Sequence, residues 1–192
     1  MRERFPGRPV FLCGHSIGGQ LSALYLALEP TAVAGLVLVA TSTPYFARYG
    51  WLGGGRVLVG SQLMVAVSSV LGYLPATGFG ARQARGVIAD WGREARTGRY
   101  SVAGLPDLEA ALSAVRLPVL AVDVDGDRQA PVRAVDHLCG KLSSARVTRW
   151  RYGPADAGTS RLGHLAWARH SAELAVRIRR WAAEATGEVP RR

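Results

Sequence analysis

Val10-Phe11-Leu12-Cys13-Gly14-His15-Ser16-Ile17-Gly18-Gly19 is the stretch whose reading decides the fold. An apolar run leads in, and a helix-patterned segment leads out. Leu21, Leu24, Tyr25 and Leu28 follow at i, i+3, i+4 and i+7, which predicts one buried helix face. Pro30 closes that helix. Between strand and helix sits Gly-x-Ser-x-Gly, a pattern that holds a serine on a tight, strained turn with its hydroxyl clear of the sheet. Gly14 and Gly18 are expected to give room for close backbone approach. With 23 glycines and 12 serines in 192 residues, the bare pattern would arise by chance roughly 0.2 times. The flanking strand and helix are therefore what give it meaning; otherwise it is a glycine-rich turn without chemistry.

A second apolar run, Val33 to Ala40, suits a strand buried on both faces of a parallel sheet. Strand-like pattern resumes at Leu117–Val122 and again at Ala145–Tyr152. A helix opening at Pro131 and running to Leu142 separates those two, and a polar loop, 153–163, precedes a final helix with Leu174, Ile178 and Trp181 on one face. Alternating strands and helices predict an α/β fold with a parallel sheet of about four strands and flanking helices. Residues 1–44 and 116–192 form the expected core, and 45–115 a helical cap insertion.

The insertion has its own character. Trp51-Leu52-Gly53-Gly54-Gly55 reads as a hinge or loop. No charged residue occurs from Val57 to Ala81, and Val57–Leu74 is apolar enough to raise the question of a membrane span. Gly60, Ser61, Gln62, Ser68, Ser69 and Gly72 dilute it and Pro75 breaks it, so an apolar helical cap over a pocket is the favoured reading. Further helices are expected within Ala81–Thr97 and Leu108–Val115.

Composition bounds the function classes. The formal net charge is +10, and Lys141 is the sole lysine. A basic balance raises nucleic acid or an anionic membrane as partners. The arginines are scattered, however, with no dense run interleaved with aromatics, so no nucleic-acid role is expected. Arg177, Arg179, Arg180, Arg191 and Arg192 read as a solvated helix face and tail. Cys13 and Cys139 lie far apart without metal-like partners and read as reduced, buried thiols of a cytoplasmic protein. Met1–Pro6 does not read as a signal peptide. No His/Cys/Asp cluster has ligand spacing, so no metal or other cofactor is expected.

A serine nucleophile needs a base, and the base needs an orienting acid. Of four histidines, His15 lies inside the elbow and reads as a packing residue, His137 as mid-helix, and His170 as part of the last helix. His164 follows Gly163 in the loop after the last strand, at the same sheet end as Ser16. For the acid, Asp123 is expected on the strand, while Asp125 and Asp127 lie beyond its carboxyl end, where open α/β sheets form their sites. Asp127 is favoured and Asp125 is its rival.

The order Ser16, Asp127, His164 resembles the α/β-hydrolase fold, whose triad runs in this order. Gly14 to Gly19 resembles its nucleophile elbow, Asp127-Arg128-Gln129-Ala130-Pro131 its acid loop, and Gly163-His164 its histidine loop. Gly72-Tyr73-Leu74-Pro75, Trp91 with Tyr100, and Gly163-His164 are similar to uncharacterised bacterial members. The resemblance implies a serine hydrolase acting on an ester, thioester or amide of a small molecule, and the apolar cap suggests that this substrate has a hydrophobic part. Ile17 N–H is the implied oxyanion donor. The family carries several strands before the nucleophile strand, whereas nine residues precede Val10 here. The expectation is therefore an N-terminally truncated core without the loop that supplies a second oxyanion donor. Its edge strand would be exposed and open to self-association. The alternative reading is a non-catalytic remnant, or a half-domain completed by another chain.

Overall fold

The computed structural model describes residues 5–76 and 81–187; the first four residues and Arg191 and Arg192 of the expected tail lie outside them. Two compact units emerge, Met1–Ser42 with Ala110–Arg192, and Thr43–Glu109.

The first unit is built on four parallel strands. These are β1 (Phe11–His15), β2 (Gly35–Val39), β5 (Pro118–Val124) and β6 (Arg146–Tyr152), hydrogen-bonded in the order β1-β2-β5-β6. Register runs Phe11↔Gly35 to His15↔Val39, Leu36↔Val119 to Val39↔Val122, and Pro118↔Arg146 to Val124↔Tyr152. Every residue of β2 is buried, as its unbroken apolar run requires of a central parallel strand. Side chains alternate between the two faces with period two. One face places Val37, Val39, Leu120, Val122 and Val124 with Tyr152, and with Leu174 and Trp181 from α7 (Ala172–Thr186). Each such burial contributes about 1.5–3 kcal/mol. The other face carries Leu36, Leu38, Val119 and Ala121. Helices α1 (Ile17–Leu28) and α5 (Val132–Lys141) connect the strands and pack on them.

Helix α1 forms where expected but turns a different face inward. Gly19, Gln20, Ala23 and Leu26 are buried, while Leu21 and Tyr25 are 57% and 49% exposed. The reason is steric. A Cβ on Gly19 would lie 2.1 Å from Thr41 Oγ1, and a Cβ on Gly14 would lie 2.4 Å from Gly19 Cα. Small residues let the helix approach the sheet too closely for the Leu21–Tyr25 face to point there. Gly18, expected to relieve crowding, has open space instead. Gly14 and Gly19 are the pair the turn needs.

The connections also differ in detail. Pro131 caps α5 from outside rather than opening it. The segment after β6 contains a short helix, α6 (Pro154–Ala157), where a loop was expected, because Asp156 accepts from Gly153 N–H at 2.8 Å. His170 belongs to a 3₁₀ turn, Ala166–His170, ahead of α7. The buried Tyr152 hydroxyl donates to the His170 carbonyl and fastens that turn to β6. Cys13 is exposed rather than buried, because β1 is an edge strand. Cys139 is partly buried.

The second unit contains α2 (Gly50–Leu71), a short antiparallel pair of β3 (Tyr73–Leu74) and β4 (Gln83–Ala84), and α3 (Arg85–Thr97). Helix α4 (Leu108–Ser113) follows, where the chain passes back to the first. Residues 51–55 are helical, not a hinge. Gly54 lies where a Cβ would meet the Phe46 carbonyl at 2.6 Å, so tertiary packing overrides the poor helix propensity of a glycine run. By length and hydropathy (22 residues, 1.4) α2 is able to cross a membrane. Trp51, Leu52, Val59, Leu63 and Val70 are all exposed on it. Ser61 and Ser68 are buried, bonding to the carbonyls of Leu58 and Val65 at 2.9 and 3.0 Å.

Candidate active site

All three loops that the sequence singled out leave the carboxyl ends of strands, where the sheet presents backbone ends rather than side-chain faces. Ser16 follows β1, Asp127 follows β5 and His164 lies beyond β6.

Ser16 has φ 52° and ψ −126°, a conformation that a residue with a Cβ rarely adopts. Its N–H donates to Val39 O at 3.2 Å, and its carbonyl accepts from Gly19 and Gln20 N–H at 3.0 and 3.3 Å. The turn is thus tied to β2 on one side and to α1 on the other. Ile17, the first residue of α1, places its N–H at the positive end of a 12-residue helix.

Asp127 is set by a tight turn at Gly126 (φ 72°), with Asp127 N–H donating to Val124 O at 3.3 Å. Its carboxylate is fully buried and fully engaged. Oδ1 accepts from Gln129 and Ala130 N–H at 2.8 and 3.0 Å, and Oδ2 faces His164 Nδ1 at 2.8 Å. Two backbone donors and a ring N–H compensate the desolvated charge. His164 Nε2 lies 2.8 Å from Ser16 Oγ. With Nδ1–H donating to Asp127, Nε2 is the acceptor for the serine hydroxyl. The arrangement can take a proton from Oγ and hold the resulting imidazolium against a carboxylate.

Asp125 goes elsewhere. It pairs with Arg151 of β6, and its N–H donates to Tyr152 O at 3.0 Å. Asp123 remains on β5, where both of its carboxylate oxygens accept from Arg149 Nη2 at 2.7 and 2.6 Å; Arg149 Nη1 donates to Asp136 at 2.6 Å. Those two carboxylates hold the Arg149 guanidinium above its ordinary value against the opposing effect of burial. Burial pushes the nearby Cys139 thiol up to about 11.

Three participants were not legible as such. Thr41, whose Oγ1 donates to Val39 O at 3.0 Å, is the wall against which Gly19 packs. Trp167 Nε1–H donates to the His164 carbonyl at 3.0 Å. His15, read as a packing residue, has its ring 4.8 Å from that of His164 and 5.4 Å from that of Trp167. Burial lowers the His15 pKa. The hydrogen bond to the His164 carbonyl opposes that shift, the neighbouring His164 ring adds to it, and the Asp127 charge opposes it. His15 and His164 lie 149 residues apart, and no local pattern encodes their contact. Among the described residues no group of three or more His, Cys, Asp or Glu could hold a metal ion.

Parallel strand order, serine on the strained turn after an edge strand, and acid and histidine on later loops define the class: the chain has the α/β-hydrolase fold. Comparison with known proteins agrees. A family model described as "Serine aminopeptidase, S33" matches residues 1–69. Over 40 residues the chain is 48% identical to human monoglyceride lipase; the stretch is 21% of this chain and 13% of that one. Among solved structures, Est1E from Butyrivibrio proteoclasticus, determined with ferulic acid bound, superposes with a TM-score of 0.56 at 13% identity, covering 94% of this chain and 61% of its own. The monoacylglycerol lipase of Paleococcus ferrophilus gives a TM-score of 0.55 at 14% identity, covering 93% and 70%. The chain therefore spans about two thirds of these structural relatives and about an eighth of the curated lipase.

Proposed function

We propose that this chain is a serine hydrolase acting on an ester, thioester or amide. The observation that carries the reading is the unbroken relay from Ser16 Oγ through His164 to the buried Asp127, each link 2.8 Å. Ser16 Oγ attacks the carbonyl carbon while His164 Nε2 takes its proton. The carbonyl electron pair becomes an oxyanion, received by Ile17 N–H. Collapse expels the alcohol, thiol or amine, which receives the proton from His164, and leaves an acyl-serine. Water, deprotonated by the same nitrogen, then releases the acid and restores Oγ–H. Asp127 fixes the imidazole tautomer and stabilises its charged form throughout.

An apolar acyl part is the substrate class favoured here. Its support is the apolar second unit and the names of two relatives, which are glyceride lipases. Fluorophosphonate labelling tests the reading. The expected result is covalent modification of Ser16 in the 192-residue chain, absent in Ser16→Ala and strongly slowed in His164→Ala. A folded chain that does not label overturns it and favours a non-catalytic role.

A further inference from the structure

We infer that His15, the residue between Gly14 and the nucleophile, is a positioning residue that fastens the His164 loop across the end of the sheet; this rests on the serine-hydrolase reading. The need for such a fastening follows from topology. Ser16 leaves β1 and His164 leaves β6, the two outer strands of the order β1-β2-β5-β6. With strands about 4.8 Å apart, the segment from Gly153 to His164 must travel about 14 Å along the carboxyl edge before its imidazole reaches Oγ. A connection of that reach places its catalytic ring to within a few tenths of an ångström only if it is held at the far end.

The structure shows what holds it. Midway, Gly126 and Gly163 (φ 149°) bring the acid and histidine loops together: a Cβ on Gly126 would lie 3.5 Å from the Leu162 carbonyl. At the end, the His164 carbonyl accepts two donors, His15 Nε2–H at 2.8 Å and Trp167 Nε1–H at 3.0 Å. They are not equivalent. Trp167 lies three residues on, in the 3₁₀ turn that Tyr152 fastens to β6, so its bond ties the carbonyl back to the strand the loop itself leaves. His15 sits on β1, the strand that carries the nucleophile, so its bond is the long-range one. A carbonyl only accepts, so the bond sets His15 with its proton on Nε2. The charged and titratable groups facing that ring are His164 and Asp127, with the Trp167 ring completing its surroundings. His15 thus ties the base to the strand that fixes the nucleophile, and the distance between the two reacting atoms depends on one short strand segment.

The test separates positioning from packing and from activity. His15→Phe keeps an aromatic ring and removes the donor; His15→Gln keeps a donor near the Nε2 position. The first readout is the low-field proton resonance of the His164 Nδ1–H···Asp127 bond. The second is the rate of fluorophosphonate labelling, with kcat and KM for a p-nitrophenyl ester. His15→Phe is expected to unfold as cooperatively as the parent, to lose the resonance to exchange, and to label about tenfold or more slowly with KM little changed. His15→Gln is expected to recover both signals to within about threefold of the parent. A His15→Phe chain that keeps resonance and labelling rate overturns the proposal. So does His15→Gln being as impaired as His15→Phe, which reduces His15 to packing, or absence of the resonance in the parent. If the parent shows the resonance but never labels, the hydrolase reading fails while the positioning result still stands on the resonance.

Discussion

At the scale of single residues, two aspartates two positions apart have different surroundings. Asp125 is partly exposed and paired with an exposed arginine, whereas the Asp127 carboxylate is fully buried between two backbone N–H groups and an imidazole. An exposed pair contributes little. A buried acceptor fixing a tautomer contributes much, because its amide analogue offers a donor where the ring also donates. Asp127→Asn is therefore expected to lower kcat/KM by about 10³–10⁴, and Asp125→Asn to leave it within about twofold, measured on the same p-nitrophenyl ester. Equal losses would return Asp125 to consideration. The loops that carry Ser16, Asp127 and His164 were legible because loop position relative to strand ends is a local property, and the structure brings the three side chains together. It left Asp125 as a rival because the choice depends on Arg151, which is 26 residues away. The cysteines make a second residue-scale case. With its thiol at about 11, Cys139 is about one part in a thousand thiolate at pH 8 and should resist iodoacetamide, while the more exposed Cys13, whose thiol burial also pushes up, reacts first. Mass mapping after alkylation should find one adduct on the folded chain and two after unfolding; Cys139 modified first would contradict the packing around it.

At the scale of elements, the periodicity of α1 was legible and its orientation was not. The helix is apolar on nearly every side, so hydrophobic spacing alone does not choose between the Leu21–Tyr25 face and the Gly19–Ala23–Leu26 face. The choice is made by how closely the backbone approaches the sheet, which only Gly14 and Gly19 allow. This gives a contrast within two adjacent glycines. Gly19→Ala drives a methyl into Thr41 and is expected to cost about 1–3 kcal/mol. Gly18→Ala points into open space inside a helix and is expected to stabilise by up to about 1 kcal/mol. Urea unfolding of both variants checks it; a reversed order would mean that α1 sits otherwise. The same lesson applies to α2, where a run of three glycines reads as a hinge until the Phe46 carbonyl is found against Gly54. Our reading of α2 as a cap helix rather than a span predicts that the expressed chain stays in the supernatant without detergent after membranes are sedimented. Recovery only with the membrane fraction would reassign it.

At the scale of the whole molecule, the parallel α/β plan was legible because β2 and residues 118–122 of β5 are continuous apolar runs separated by helical patterns. Strand order and the span of the histidine loop were not, since both depend on pairings distant in sequence. That order leaves two edges with opposite chemistry. β6 carries Arg146, Arg149 and Arg151, and charged side chains on an edge oppose pairing with another chain. Among the described residues β1, Phe-Leu-Cys-Gly-His, pairs with β2 alone, and it has no acidic or basic residue apart from its terminal histidine. Leu21 and Tyr25 of α1, the helix that follows β1, are exposed apolar surface as well. An edge of this kind offers unpaired backbone groups without the charge that discourages a partner, so we expect association of the chain with itself through β1. Sedimentation velocity should show the weight-average coefficient rising with protein concentration. Cys13→Arg places a charge at an exposed position of this strand, copying the pattern of β6, and should shift the chain toward monomer at the same concentrations. A parent chain that stays monomeric throughout, or a variant that associates as strongly as the parent, would show that β1 is not the surface responsible.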